Sequence, residues 1–323
     1  MLCRKLKLKL NNLEVGTTPM LLPSVSSKIN LDVAKTLETI SIIVDGPLLI
    51  SAYDFYHSNI PPISFPDLIF LDSGGYECNK DQEISDIGLY KPKHKKWKKR
   101  TYQKVIRKWS SKIPTVLISY DHPSIRLPIS KQVEKANQIF KEKNNFLKEI
   151  LIKPETKNST EIQPERIIEN LESFCSFNII GFTEKELGKS VFSRMICIAK
   201  IRMAMAERHI EIPIHIFGSL DTVTTPLYYL SGADIFDGLS WLRYIFINDN
   251  TLYLDSYGPK CYGIDEKIDE MWIKTVDSNY KYLRQLKLTL EKLCSDEDFS
   301  VFGSSADFFR NAYDRLLREQ GGD

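Results

Sequence analysis

Short apolar runs recur along this chain, and most are followed by a stretch with helical spacing. The runs lie at 17–24, 47–53, 67–72, 115–121, 149–153, 177–182, 212–217 and 232–237. Helical periodicity is read at 31–40, 130–149, 164–174, 191–209 and 221–230. Alternation of this kind predicts a parallel sheet with helical crossovers. About eight strands up to Asp237 favour a closed (β/α)8 TIM-type barrel over an open sheet. The segment 1–10 alternates apolar and basic residues, lacks the apolar core of a secretion signal and reads as a further strand. Beyond Tyr244 the pattern changes to a hairpin strand at 251–255 and two long helices at 267–293 and 305–318, with a frayed end at Gly321 and Gly322. The expected division is a barrel over 1–275, carrying a basic insert at 91–108, and a helical appendage over 276–323 packed on it.

Three of the runs end in a carboxylate: Asp72, Asp121 and Asp237. An acid at the end of a buried strand is costly to desolvate and needs a partner or a task. Barrel chemistry gathers at the carboxyl ends of the strands, which is where these acids fall. Asp72 is followed by Ser73, Gly74 and Gly75, a turn that lets backbone approach a ligand closely. Asp237 is followed at once by Gly238, with Arg243 six residues on. Taken singly, each acid has a plain alternative as a helix N-cap or a buried salt bridge.

The balance of 44 basic and 42 acidic residues leaves a net charge of +2, so a nucleic-acid surface has to be local. The segment 91–108 supplies one. Lys91, Lys93, Lys95, Lys96, Lys98, Lys99 and Arg100, with further lysines and arginines to Lys108, surround Trp97, Tyr102 and Trp109. Basic residues interleaved with aromatics suit a phosphate backbone and stacked bases; the alternative is a solvated loop leading into an amphipathic helix. The six cysteines are scattered without a CxxC pair, which fits reduced thiols in a cytoplasmic protein. No run approaches the ~18 apolar residues of a membrane span. Residues 183–190 come close to a phosphate-binding P-loop, but Thr183 replaces its first glycine, and Glu184 and Glu186 would face the phosphates. The five histidines show no metal spacing and read as ordinary surface or core residues.

From about Thr17 to Arg243 the chain resembles the tRNA-guanine transglycosylase superfamily, and most closely its branch that inserts 7-deazaguanine bases into DNA. Four points carry the resemblance. The segment from Thr18 to Pro23 is similar to the family's first barrel strand. Asp72-Ser73-Gly74-Gly75-Tyr76 matches its DSGG-aromatic signature residue for residue. Asp121, after Leu117-Ile-Ser-Tyr, sits where the family has a base-binding acid. Gly232-Ala-Asp-Ile-Phe-Asp237, with Arg243, matches the segment bearing the nucleophile.

The resemblance implies exchange of guanine for a modified base without strand cleavage. Asp237 would attack the sugar C1′ and form a covalent glycosyl-enzyme, and Asp72 would protonate the departing base and deprotonate the incoming one. Asp121 would accept from the guanine N–H edge. Tyr76 and Phe217 would sandwich the ring, unless they are core aromatics. Ser73, Gly74, Gly75, Gly181 and Gly218 would line the pocket, and Arg243 would hold a phosphate. The substrate would be single-stranded or flipped out of a duplex. Two departures bear on the substrate. The tRNA enzymes carry a CxCxxC and a later histidine that bind zinc; here only Cys261 and Cys294 follow Asp237, and no histidine does. Where they carry a VQGG-type strand end, this chain has Leu151-Ile-Lys153-Pro-Glu155, which puts Lys153 in place of the base-reading glutamine. The expectation is therefore DNA rather than tRNA, a free 7-deazaguanine such as the 7-cyano form, no metal and no cofactor, with an accessory protein for duplex opening. A tRNA enzyme, or a barrel that only binds nucleic acid through residues 95–100, are the alternatives.

Overall fold

In the computed structural model of the chain, which describes residues 1–78, 95–122 and 124–321, eight strands close into an all-parallel barrel. Lys91, Lys93, His94, Pro123 and Gly322 lie outside the described residues. The strands are β1 Lys7–Leu10, β2 Leu13–Thr17, β3 Met20–Val25, β4 Leu48–Ser51, β5 Ile69–Asp72, β6 Thr115–Ile118, β7 Leu147–Ile152, β8 Ile179–Thr183, β9 Ile214–Phe217, β10 Ile235–Gly238, β11 Tyr244–Ile247 and β12 Asn250–Tyr253. The barrel runs from β3 to β10 in sequence order and closes where β10 pairs with β3, Asp237 opposite Leu22. The expected TIM-type architecture is thus present.

Period two decides what each strand residue does. Leu22, Leu49, Phe70, Val116, Ile118, Leu151, Ile179 and Ile235 form the apolar barrel interior. Their neighbours Leu21, Ile50, Leu71, Leu117, Ile150, Ile180, Ile216 and Phe236 belong to the layer between sheet and helices. Both faces are buried, so the strands read as near-continuous apolar runs. The N-terminal strand is not part of the barrel. It pairs with β2 in an antiparallel hairpin whose Leu8, Leu10 and Val15 join the interior cluster beside Met20, at the amino-terminal end of β3. Asn11 and Asn12 make its two-residue turn at positive φ (50° and 67°), the conformation such tight hairpins need; Asn248 and Asp249 do the same between β11 and β12 (48° and 58°).

Helices fill most of the crossovers. Asp32 caps the helix Val33–Ile40 by accepting from Lys35 N at 3.2 Å. Ser190 and Ser193 form a reciprocal cap on Val191–Glu207. The helix expected at 130–149 is shorter. It ends at Phe140, because Asn144 and Asn145 make a turn that releases the chain into β7 at Leu147. The strand expected from Glu149 thus begins two residues earlier, and Glu149 lies inside it. The helix Ile268–Asp296 runs unbroken across position 275, and its Val276, Leu283 and Leu290 share one apolar cluster with the barrel helices and with Phe309 and Leu316 of the helix Ala306–Gly321.

Candidate active site at the carboxyl mouth of the barrel

Asp237 points into the barrel from the end of β10 and is almost fully buried. Ser24 Oγ, from β3 next door, donates to its Oδ2 at 2.8 Å, and Gly218 N donates to Oδ1 at 3.1 Å. Gly218 holds φ +84°, which turns its amide toward the acid. A side chain at position 238 would place its Cβ 2.9 Å from that of Leu220, so glycine is needed there for the loop after β9 to lie against β10.

Below Asp237 lies a pair that the sequence did not suggest as functional. His215, on β9, is fully buried; its Nε2 is 3.3 Å from Asp237 Oδ1 and its Nδ1 is 2.8 Å from Glu149 Oε1, on β7. The Nε2 contact is an ion-pair approach rather than an aligned hydrogen bond. Burial works against charge on this imidazole, but Glu149 and Asp237 outweigh it and bring it up to about 9. Glu149 is itself raised by burial, against the pull of His215. Gly181 leaves room for this group, because a Cβ there would sit 2.6 Å from Glu149 Oε1 and 2.4 Å from the Phe217 ring. The role of Gly181 in the geometry is thus to admit neighbouring side chains.

Asp72 is the last residue of β5 and accepts from Gly74 N at 2.9 Å. Burial pushes its carboxyl up to about 6, against the Gly74 and Ser73 amides, with Asp237 and Asp121 adding repulsion. The three acids at the strand ends therefore form one electrostatic cluster. The turn after Asp72 is tightly constrained. Gly74 has φ +85°, and a Cβ on it would meet Tyr53 Cβ at 2.6 Å and Trp97 Nε1 at 2.9 Å. Ser73 is fully buried; its Oγ accepts from Asp121 N at 3.1 Å, and its carbonyl accepts from Trp97 Nε1 at 2.9 Å. Gly75 packs against Asp121, whose Oδ2 lies 2.9 Å from where a Cβ would be. Behind the turn Glu77, also unanticipated, accepts from Ser26 Oγ at 2.6 Å; burial, then Asp54 and Asp72, raise it to about 8.

Lys153 reaches Asp121 Oδ2 at 3.3 Å, Glu186 Oε2 at 3.0 Å and Thr183 Oγ1 at 2.7 Å. Burial disfavours the ammonium, but Asp121 and Glu186 outweigh it and hold it above its ordinary range. The basic residue that stands where a glutamine was expected is thus tied to the proposed base-binding acid. Glu186 serves this pair, while Glu184 accepts from Arg194 Nη1 and from Tyr228 OH, both at 2.7 Å. The P-loop-like segment is accounted for by these bonds.

The aromatic residues fall in different places. One face of Phe217 stacks on His215 at 3.9 Å. Tyr76 carries the Lys28 ammonium 4.6 Å from its ring centre. Arg243 follows a short turn after β10, with its guanidinium 5.5 Å over Tyr244. In the basic segment Lys95, Lys96, Lys98 and Arg100 are exposed, and Lys99 opens the helix Lys99–Lys108. Its aromatics turn inward instead. Tyr102 is fully buried, with its hydroxyl on Ile118 O, and Trp109 donates to Thr115 Oγ1 at 3.2 Å. Trp97 packs against Tyr53, Tyr56 and His57. Tyr102 therefore offers no stacking platform, Trp109 is half-buried, and residues 95–100 present mainly charge outward.

Among the described residues no group of three or more His, Cys, Asp or Glu side chains could hold a metal ion, and no helix is long and apolar enough to cross a membrane. No family model matches the chain, and no curated protein does. The class defined here is that of the fold, a (β/α)8 barrel with a cluster of buried acids at its carboxyl mouth.

Proposed function

We propose that the chain is a base-exchange transglycosylase, replacing guanine in DNA with a 7-deazaguanine through a glycosyl-aspartate intermediate. One observation carries this reading: two buried carboxyl groups of one cluster lie in unlike surroundings. Asp237 receives donors on both oxygens, from Ser24 and Gly218. Asp72 is raised by burial to about 6. Carboxyl groups in unlike environments divide naturally into nucleophile and acid.

In the forward half, an Asp237 oxygen bonds to C1′ as the C1′–N9 bond breaks. The electron pair leaves on the base, and the Asp72 proton neutralises it. In the return half, Asp72 takes the N9 proton of the incoming base, N9 bonds to C1′ and the ester to Asp237 opens. Asp121 offers an acceptor to the base edge, which suits the N–H groups of guanine, and Lys153, held by Thr183 and Glu186, keeps that acid in place. The exposed Lys95, Lys96, Lys98 and Arg100 suit the flanking phosphates. The preference for DNA over tRNA comes from the missing zinc motif and the basic insert.

The test is incubation with labelled 7-cyano-7-deazaguanine and either DNA, single-stranded and duplex, or tRNA. Label entering DNA is the expected result; label entering tRNA alone moves the substrate to RNA, and none in either removes the reading. The forward half should slow as pH rises past about 6, where Asp72 loses its proton. In Asp72→Asn the rate should drop by ~10²–10⁴ and that limb should disappear.

A further inference from the structure

The barrel interior holds two groups that its packing does not require. Glu149 and His215 are both fully buried beside an interior cluster made of Leu, Ile, Val, Phe and Met side chains. A pair of apolar residues would serve stability as well or better, because desolvating two ionisable groups costs several kcal/mol per ion. Their arrangement is also directional. Glu149 Oε1 takes Nδ1 at 2.8 Å, which turns the opposite nitrogen toward Asp237, 3.3 Å away. The ring cannot swing easily. Phe217 stacks on it at 3.9 Å and Phe70 meets it edge-on at 5.8 Å. Gly181 gives up its side chain to let the Glu149 oxygen and the Phe217 ring in.

We infer that Glu149 and His215 are positioning residues for Asp237: Glu149 fixes the imidazole through Nδ1, and the imidazole, with Nε2 3.3 Å from Asp237 Oδ1, supports the reactive carboxylate electrostatically. The logic is that of a carboxylate orienting a histidine in a hydrolase triad, with the histidine holding a carboxylate rather than activating a hydroxyl. The ionisable groups facing His215 are Glu149 from β7 and Asp237 from β10; the β5 and β9 neighbours that face it, Phe70 and Phe217, carry no charge. Two carboxyl groups at the ring, with no other cation there among the described residues, favour the imidazolium, whose titration is brought up to about 9. Glu149 Oε2 has no hydrogen-bond partner among the described residues, so the imidazole is what balances that acid.

The catalytic half of this inference rests on the base-exchange reading; the charge half does not, and the experiment separates them. Protein labelled with ¹⁵N-histidine is titrated by NMR, with His215 assigned by the signal lost in His215→Gln. The expected result is an imidazole protonated on both nitrogens at neutral pH that titrates near about 9. Glu149→Gln and Asp237→Asn should each move that midpoint down by about 1 to 3 pH units. A residue that only filled space would leave no such signature. A neutral His215 at pH 7, or a midpoint indifferent to Asp237→Asn, overturns the inference. If Glu149→Gln does not fold, the wild type and Asp237→Asn decide. In an enzyme that exchanges bases, Glu149→Gln should also slow adduct formation by about tenfold or more, and an unchanged rate overturns the catalytic half. A protonated His215 that responds to both variants, in a protein that exchanges no base, upholds the charged relay and overturns the base-exchange reading alone.

Discussion

Asp237→Ala should abolish base exchange and the covalent adduct while leaving the barrel folded. The alanine removes the carboxylate that bonds C1′ in the proposed reaction, and losses of a nucleophile are on the order of 10⁴-fold or more. The structural cost is smaller. Ser24 Oγ and Gly218 N lose their acceptor, and two stranded donors cost about 1 to 3 kcal/mol each when no water reaches them. Gly218 is exposed, so its share is less. The measurement is a denaturing gel with labelled nucleic acid, paired with a thermal melt of the same sample. A shifted band surviving in Asp237→Ala would take the nucleophile away from this residue.

Asp234→Ala should have the largest effect on stability, although it lies outside the mouth. Asp234 is fully buried and pairs with Arg202, itself 2% exposed, on the helix Val191–Glu207. Its Oδ2 also accepts from Ile214 N at 2.7 Å, and Arg4 Nε is 3.7 Å from Oδ1. Arg202 in turn donates to Gly232 O at 2.7 Å and Ile212 O at 3.3 Å. One carboxylate thus ties together the N-terminal segment, the start of β9, the turn before β10 and a crossover helix. Its removal leaves a buried guanidinium unpaired, at a cost of about 3 to 5 kcal/mol. Urea unfolding should show the midpoint fall sharply, and the double substitution Asp234→Ala with Arg202→Met should recover part of the loss. A variant within about 1 kcal/mol of wild type would show that the pair contributes little.

Much of the fold was legible because a buried parallel strand and an amphipathic helix leave different periods, and the runs ending in Asp72, Asp121 and Asp237 are well separated. The hairpin at the N-terminus was half visible. Its strand was clear, but the Asn11-Asn12 turn that pairs it with β2 was passed over, though tight hairpins favour such residues. Glu149 reads both as the end of the helix 130–149 and as the first residue of the strand 149–153; the helix reading runs through Asn144 and Asn145 and so obscures the start of β7 at Leu147, whose parity turns Glu149 inward. His215 was visible in principle. It shares parity with Phe217, and a strand that sends residue 217 into the barrel also sends residue 215 there. What the sequence does not reveal is that residues 66 positions apart, Glu149 on β7 and His215 on β9, meet over Gly181 of the intervening β8. Tyr102 misleads for the opposite reason: the sequence shows it among lysines, while the helix that carries it turns it into the core.

The four-residue strand β10 has a consequence for which changes the chain can accept. Its entry is held by Asp234 against Arg202, and its exit delivers Asp237 beside Ser24 and Gly218. Between them, one residue added or deleted would turn the outgoing acid into the helix layer, because strand side chains alternate sides. Length variation between Asp234 and Asp237 should therefore be lethal to the site even when every residue type is retained. Insertions in the loops beyond the strand ends shift no strand's parity, so new substrate contacts can accumulate there while the span from Asp234 to Asp237 keeps its length.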